Sequence, residues 1–198
     1  MKYVNQKEYP DWLYVTMTEK DEEHQQKGKT TTVADSACGL CSAVMVADRL
    51  LVDSRFELKD ALKLAYETKA NAWEGTSYRR FAPAFAEKMG FDWEATCDPE
   101  RLIFCLQTGG AAVVNVGGKR EGYPGLFSRN GHYIVAVSQE RDGRIAILDP
   151  AYQEGRYDVE GCEGLVTMKN RVIALCDLQT IVKDAENRNP SFYLFWRK

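Results

Sequence analysis

Cys38, His132 and Asp149 are the residues of this chain whose types and order suit nucleophilic chemistry at a carbonyl. The segment Asp35-Ser36-Ala37-Cys38-Gly39-Leu40-Cys41-Ser42-Ala43-Val44-Met45 sets Cys38 at the mouth of a helix whose body is small and apolar, and hence buried. The free N–H groups and positive end of the dipole at that position favour a thiolate over a thiol. They would also bind the oxyanion that forms when a carbonyl is attacked. The chain has two histidines, His24 and His132, so any imidazole base is one of these. His132 heads a β-branched and aromatic stretch directly after Gly131, and Asp149-Pro150 follows seventeen positions on. A base of this kind needs a carboxylate to fix its tautomer. Nucleophile, base and orienting group then run in chain order.

The elements that must position these residues are legible in outline. Asp35-Ser36 offers an N-cap for a helix over 38–51. A second helix, near 57–69, carries Leu58, Ala61, Leu62, Ala65 and Tyr66 at helical spacing. A third runs over 77–89, with Gly90 placed to stop it. Asp98-Pro99-Glu100 announces a fourth, ending near Gly109-Gly110. Strands follow at 111–116, 132–139, 144–149, 171–176 and 192–196, the second and third joined through Asp142-Gly143. The predicted class is α+β. One domain spans 1–198, with a helical lobe of about 1–110, a sheet lobe of about 111–198 and a cleft between them.

The hairpin poses a geometric problem. With Asp142-Gly143 as a two-residue turn, Asp149 faces Ala136, which points the same way as His132 but lies four residues from it. At normal strand rise that is about 13 Å. A bulge, a longer loop or strong twist has to close the gap.

Composition narrows the function classes. Apolar residues make up 44% and charged residues 28% of the 198, the balance of an ordinary globular chain. Twenty-six Lys plus Arg against 29 Asp plus Glu gives a net charge of −3, which argues against nucleic acid as a partner. The apolar runs at 111–116 and 133–137 are far too short to span a bilayer. The opening MKYVNQKEYPDWLY has neither an apolar run nor a small-residue cleavage site. A cytoplasmic protein, or one whose leader has been removed, is therefore expected. The six cysteines Cys38, Cys41, Cys97, Cys105, Cys162 and Cys176 are too sparse for a disulfide scaffold, and Cys105 and Cys176 read as buried small hydrophobes. Two histidines and scattered thiols do not make a zinc site, so no metal or other cofactor is expected.

Several motifs then resemble a known family in the right order. Cys38-Gly39-Leu40-Cys41-Ser42-Ala43-Val44-Met45-Val46 resembles the CGPTS-x-A-MV signature of papain-like cysteine peptidases of the bacterial bacteriocin-processing, double-glycine-leader type. Gly131-His132-Tyr133-Ile134-Val135 resembles that family's GH[YF]-V-V strand, and Leu148-Asp149-Pro150 its terminal DP. Asn5-Gln6-Lys7-Glu8-Tyr9-Pro10-Asp11-Trp12 resembles its upstream Q-x-D segment. Trp73-Glu74-Gly75-Thr76 resembles its W-x-G-T stretch, and Leu102 with Gly109-Gly110-Ala111 its entry into a buried strand. The likeness covers about the first 150 residues. It implies a papain-like fold and a peptide or protein substrate, with Cys38 as nucleophile, His132 as general base and acid, Asp149 as orienter and Gln6 as the oxyanion-hole side chain. The chain departs from the pattern at Leu40, Cys41 and Ala37, and in the 32 residues separating Gln6 from Cys38.

Cys41 offers an alternative nucleophile, since papain itself carries its nucleophile as the second Cys of CGSCW. Against this, Ser42 rather than an aromatic follows Cys41, and Asp35 rather than glutamine stands six residues before it. Cys38 is the preferred nucleophile. Cys-Gly-Leu-Cys also admits a thioredoxin-like dithiol oxidoreductase, but the preceding Thr30-Thr31-Thr32-Val33-Ala34-Asp35 holds no apolar strand of the kind that chemistry uses. An amidase or acyltransferase, or a catalytically silent peptide-binding module, would keep the same fold. His24 sits in a charge-rich loop and reads as solvated. Trp73, Trp93 and Trp196 read as packing residues, and Lys119-Arg120-Glu121 with Arg129 as a solvated rim able to steer acidic substrates.

Overall fold

The computed structural model describes residues 2–16, 30–72 and 75–198. A short 3-10 turn, Gln6–Glu8, precedes a two-stranded ribbon of β1 (Leu13–Val15) and β2 (Thr30–Thr32). Then come α1 (Val33–Ser36), α2 (Cys38–Leu50), α3 (Leu58–Glu67), the small pair β3 (Asn71–Ala72) and β4 (Gly75–Thr76), and α4 (Tyr78–Met89). The chain continues through β5 (Phe91–Thr96), α5 (Pro99–Gln107), β6 (Ala111–Val116), β7 (His132–Gln139), β8 (Ile145–Leu148), β9 (Val166–Met168), β10 (Ile173–Cys176), α6 (Leu178–Ala185) and β11 (Phe192–Arg197).

Local chemistry accounts for most of these boundaries. The Asp98 side chain accepts from Glu100 N with Pro99 in the first turn of α5, and Gly90 ends α4 in the left-handed region at φ 69°. Glu57 and Asp60 close a capping box over α3, whose Leu58, Ala61, Leu62, Leu64 and Ala65 are buried. The start of α2 differs from expectation. Asp35 and Ser36 lie inside α1, and Ala37 is the N-cap of α2, with no side-chain capping bond. Val33 and Ala34 are buried, which closes a helical turn ahead of the cysteine.

Seven strands form one antiparallel sheet in the order β5-β11-β6-β7-β8-β10-β9. Strand alternation gives the sheet two apolar faces. Val113, Val135, Val137, Ala146 and Leu148 pack in a core with α2, α3 and α4. Val114, Ile134, Ala136, Ile145 and Ile147 pack with Leu102, Cys105 and Leu106 of α5 and Ile181 and Ala185 of α6. The class is α+β. The layers interleave along the chain instead of dividing near residue 110, because β5 at the sheet edge and α5 on its second face precede that point, and α6 follows it. The unforeseen α6 follows from Leu178, Ile181, Val182 and Ala185 at helical spacing, which bury one stripe against the sheet.

Trp93 is 38% exposed on the edge strand and does not pack inside, while Trp196 lies partly buried with Nε1 donating to Thr108 Oγ1 at 3.1 Å. His24 and Trp73 lie outside the described residues. Among the described residues no helix is long and apolar enough to cross a membrane.

Candidate active site

Cys38 is the first residue of α2, is 9% exposed and stands in the wall of a cavity. The helix behind it is buried from Cys38 through Ala47. Gly39 permits that depth: a Cβ there would stand 2.9 Å from both Thr76 Cβ and Tyr78 Cε2. Tyr78 Oη donates to Gly39 O at 2.7 Å, tying the first turn of α2 to α4. The His132 side chain and the backbone N–H groups of Gly39 and Tyr133 lie near enough to the sulfur to favour its negative charge.

His132 and Asp149 meet through the register of the hairpin. The connection is a three-residue loop, closed by Glu140 N to Arg144 O at 2.8 Å and carrying Gly143 at φ 88°. The ladder then shifts by one residue between Ala136 and Ser138, a bulge at Val137. Leu148 consequently faces Val135, so Asp149 stands opposite Ile134, two positions from His132 instead of four. Side chains span the remainder, and His132 Nε2 lies 2.6 Å from Asp149 Oδ1. With Nε2 engaged there, Nδ1 is the ring nitrogen left for Cys38.

Asp149 is buried and fully engaged. Oδ1 also accepts from Ala151 N at 2.8 Å, Oδ2 accepts from Arg156 Nε at 2.5 Å and Tyr157 Oη stands 3.4 Å from it. Burial works to push its carboxyl up, but His132 and Arg156 beside it hold it below the usual carboxylate range. Burial likewise opposes charge on His132, yet the Asp149 carboxylate and the Cys38 sulfur together push the imidazole up to about 9. Burial raises the Cys38 thiol, and the imidazolium and facing N–H groups more than reverse that, so it ends below the ordinary thiol value. Both shifts move the proton from sulfur to ring.

The other thiols behave differently. Cys41 is completely buried on the core face of α2, and burial and the neighbouring Cys38 push its thiol far up. The strand before this helix, β2, pairs among the described residues only with β1, outside the main sheet. Cys105 and Cys176 are buried, and burial pushes each thiol up to about 12.

Gln6 is drawn to the same region. It is 3% exposed, its backbone N donates to Pro150 O at 2.7 Å and its Nε2 donates to Ala34 O at 2.7 Å. Its Oε1 is buried without a hydrogen bond among the described residues. Two openings meet at His132. A cavity of about 220 Å³ has Cys38, Gly75, Thr76 and His132 in its wall, and an open groove of about 750 Å³ runs from Gln6 past His132.

Three residues near the site carried no sequence signal. Arg156 bridges Asp149 to the Gly-rich loop 117–131 through Nη2 to Phe127 O at 2.7 Å, and Tyr3 Oη donates to Asp149 O at 2.6 Å. Asp184 of α6 holds the same loop, accepting from Leu126 N at 2.8 Å and Phe127 N at 3.3 Å. These contacts join segments far apart in sequence, where no periodicity could announce them. Arg120 is not a solvated rim residue: it is bound to Glu186 at 2.8 Å, lies over the Tyr123 ring and is 17% exposed. Among the described residues no group of three or more His, Cys, Asp or Glu side chains converges as metal ligands would. No protein-family model matches the chain, and no curated protein is significantly similar to it.

Proposed function

We propose that the protein is a papain-like cysteine peptidase, hydrolysing peptide bonds with Cys38 as nucleophile. The observation that carries this reading is His132, bonded through Nε2 to Asp149 at 2.6 Å and sharing one cavity wall with Cys38, whose sulfur stands at the start of a buried helix. The antiparallel sheet with α2 packed on one face supports the reading. The Cys38 thiolate adds to the substrate carbonyl, and the negative oxygen is held by the backbone N–H of Cys38 at the start of α2. Gln6 Nε2, whose second N–H is not used by Ala34, joins it. The C–N bond then breaks, and the imidazolium of His132 gives its proton to the leaving amine. Water adds to the thioester with neutral His132 taking its proton, and the acid leaves as the thiolate reforms. Asp149 keeps the ring oriented through both half-reactions.

Alkylation by iodoacetamide, with the modified cysteine located by mass spectrometry, tests the pairing. Cys38 reacts well below pH 8 in the wild type and at least about tenfold more slowly at that pH in His132→Ala. Labelling shared by Cys38 and Cys41 and indifferent to His132 overturns the reading in favour of a dithiol. Reaction no faster than that of a free cysteine leaves a silent binding module.

A further inference from the structure

The surroundings of His132 carry a charge that the chain as a whole does not. The sequence is net −3. The groove on the Gln6 side of His132 nevertheless has Lys7, Lys119, Arg129 and Arg156 in its walls, against the carboxylate of Asp35. Arg156 is neutralised by Asp149, and Lys7 Nζ donates to Ala34 O, which is no carboxylate. Lys119 and Arg129 have no side-chain hydrogen bond or ion pair among the described residues. A backbone bond from Lys119 N to Arg129 O at 2.9 Å pairs the two residues in the groove wall. Arg120, between them in the same loop, is instead tied to Glu186.

Which part of a substrate meets these cations follows from the chemistry, given the cysteine-peptidase reading on which this rests. The acyl part is bonded to Cys38 and occupies the 220 Å³ cavity that has Cys38 in its wall. The leaving amine must meet His132, and the groove has His132 in its wall but not Cys38. We infer that this groove is the leaving-group subsite and that it recognises carboxylates, so the preferred substrates are peptides acidic just after the scissile bond. Acidic side chains and a free C-terminal carboxylate share that chemistry. Two exposed cations in the groove wall amount to a preference of roughly tenfold.

Four fluorogenic peptides with one acyl half ending in glycine separate the possibilities. Their leaving halves are Asp-Asp amide, Lys-Lys amide, a neutral amide and a neutral free carboxylate. The wild type cleaves the Asp-Asp or the free-carboxylate peptide about tenfold better in kcat/KM than the neutral amide, and the preference shrinks as salt is raised. Which of the two is favoured identifies the source of the carboxylate. In the Lys119→Gln/Arg129→Gln variant the ratio of acidic to neutral falls to within about twofold. Equal rates in the wild type, or a ratio the double variant does not move, overturn the subsite. If no peptide is cleaved, anisotropy of a labelled Asp-Asp amide peptide on Cys38→Ala protein decides the groove separately. Binding weakened at least about fivefold by the added double substitution keeps the carboxylate subsite although the peptidase reading fails. Unchanged or absent binding overturns the subsite too.

Discussion

His132 and Asp149 are joined at 2.6 Å because the hairpin between them is two residues out of simple register. One residue comes from the three-residue loop ending in Gly143, and one from the bulge at Val137. Each shift alone would put Asp149 opposite a residue of the wrong parity, since successive side chains point to opposite faces. Together they restore the parity and halve the distance along the strand.

Asp149→Asn keeps an acceptor for Nε2 but removes the charge. His132 falls back towards its ordinary value and the Cys38 thiol rises with it. Labelling of Cys38 at pH 6.5 is expected to drop at least about tenfold, with the pH profile displaced upward by a unit or more. Arg156 loses its partner, and at 23% side-chain exposure this costs about 1 kcal/mol, less than for a fully buried ion. Alkylation profiles and urea midpoints measure the two effects independently.

Cys41→Ala removes a fully buried sulfur that faces the core. The Cys38 labelling rate and its pH dependence are expected to stay within about twofold of wild type, while stability falls by about 1 kcal/mol. Loss of Cys38 reactivity in this variant would contradict the separation of roles within the helix.

Gly39→Ala brings a methyl to 2.9 Å from Thr76 Cβ and Tyr78 Cε2. These are atoms of packed, buried residues, so the helix start has to move. A loss of about 1–3 kcal/mol is expected, with slower Cys38 labelling because the sulfur shifts relative to His132. Denaturant unfolding and alkylation check both.

The pair also makes a prediction about pH. His132 is raised to about 9 from 6.5, so its contribution to stability is full below pH 6.5 and is lost as pH rises towards 9. Cys38 is lowered from 9.0, so its contribution is present above pH 9 and lost as pH falls towards its folded value. The trends oppose, and wild-type stability is expected to change little between these limits. Cys38→Ala leaves the His132 trend uncompensated but also removes the sulfur's share of the upward push, so its stability should fall by about 1 kcal/mol or less as pH rises above 6.5, over a narrower window. Urea midpoints at several pH values decide it.

The sequence by itself determined what depends on near neighbours. Helix limits at Asp98-Pro99 and Gly90, the buried strand Ala111–Val116, the strand starting at His132 and the cysteine at the mouth of a small-residue helix follow from capping, backbone freedom and apolar spacing within a few residues. Even the need for an irregular hairpin could be deduced by counting from Asp142-Gly143. The tertiary structure decided which irregularities closed the gap, because loop length and bulge position are fixed by β8 pairing with β10 as well as with β7. It also decided that β5 joins the sheet edge, that Arg156 braces Asp149 and that Asp184 braces the loop beside the groove. The pairing of β5 with β11 and the contacts of Asp184 and of Arg156 with the loop at Phe127 link segments remote in sequence, and each exists only once the sheet has fixed the places of its partners.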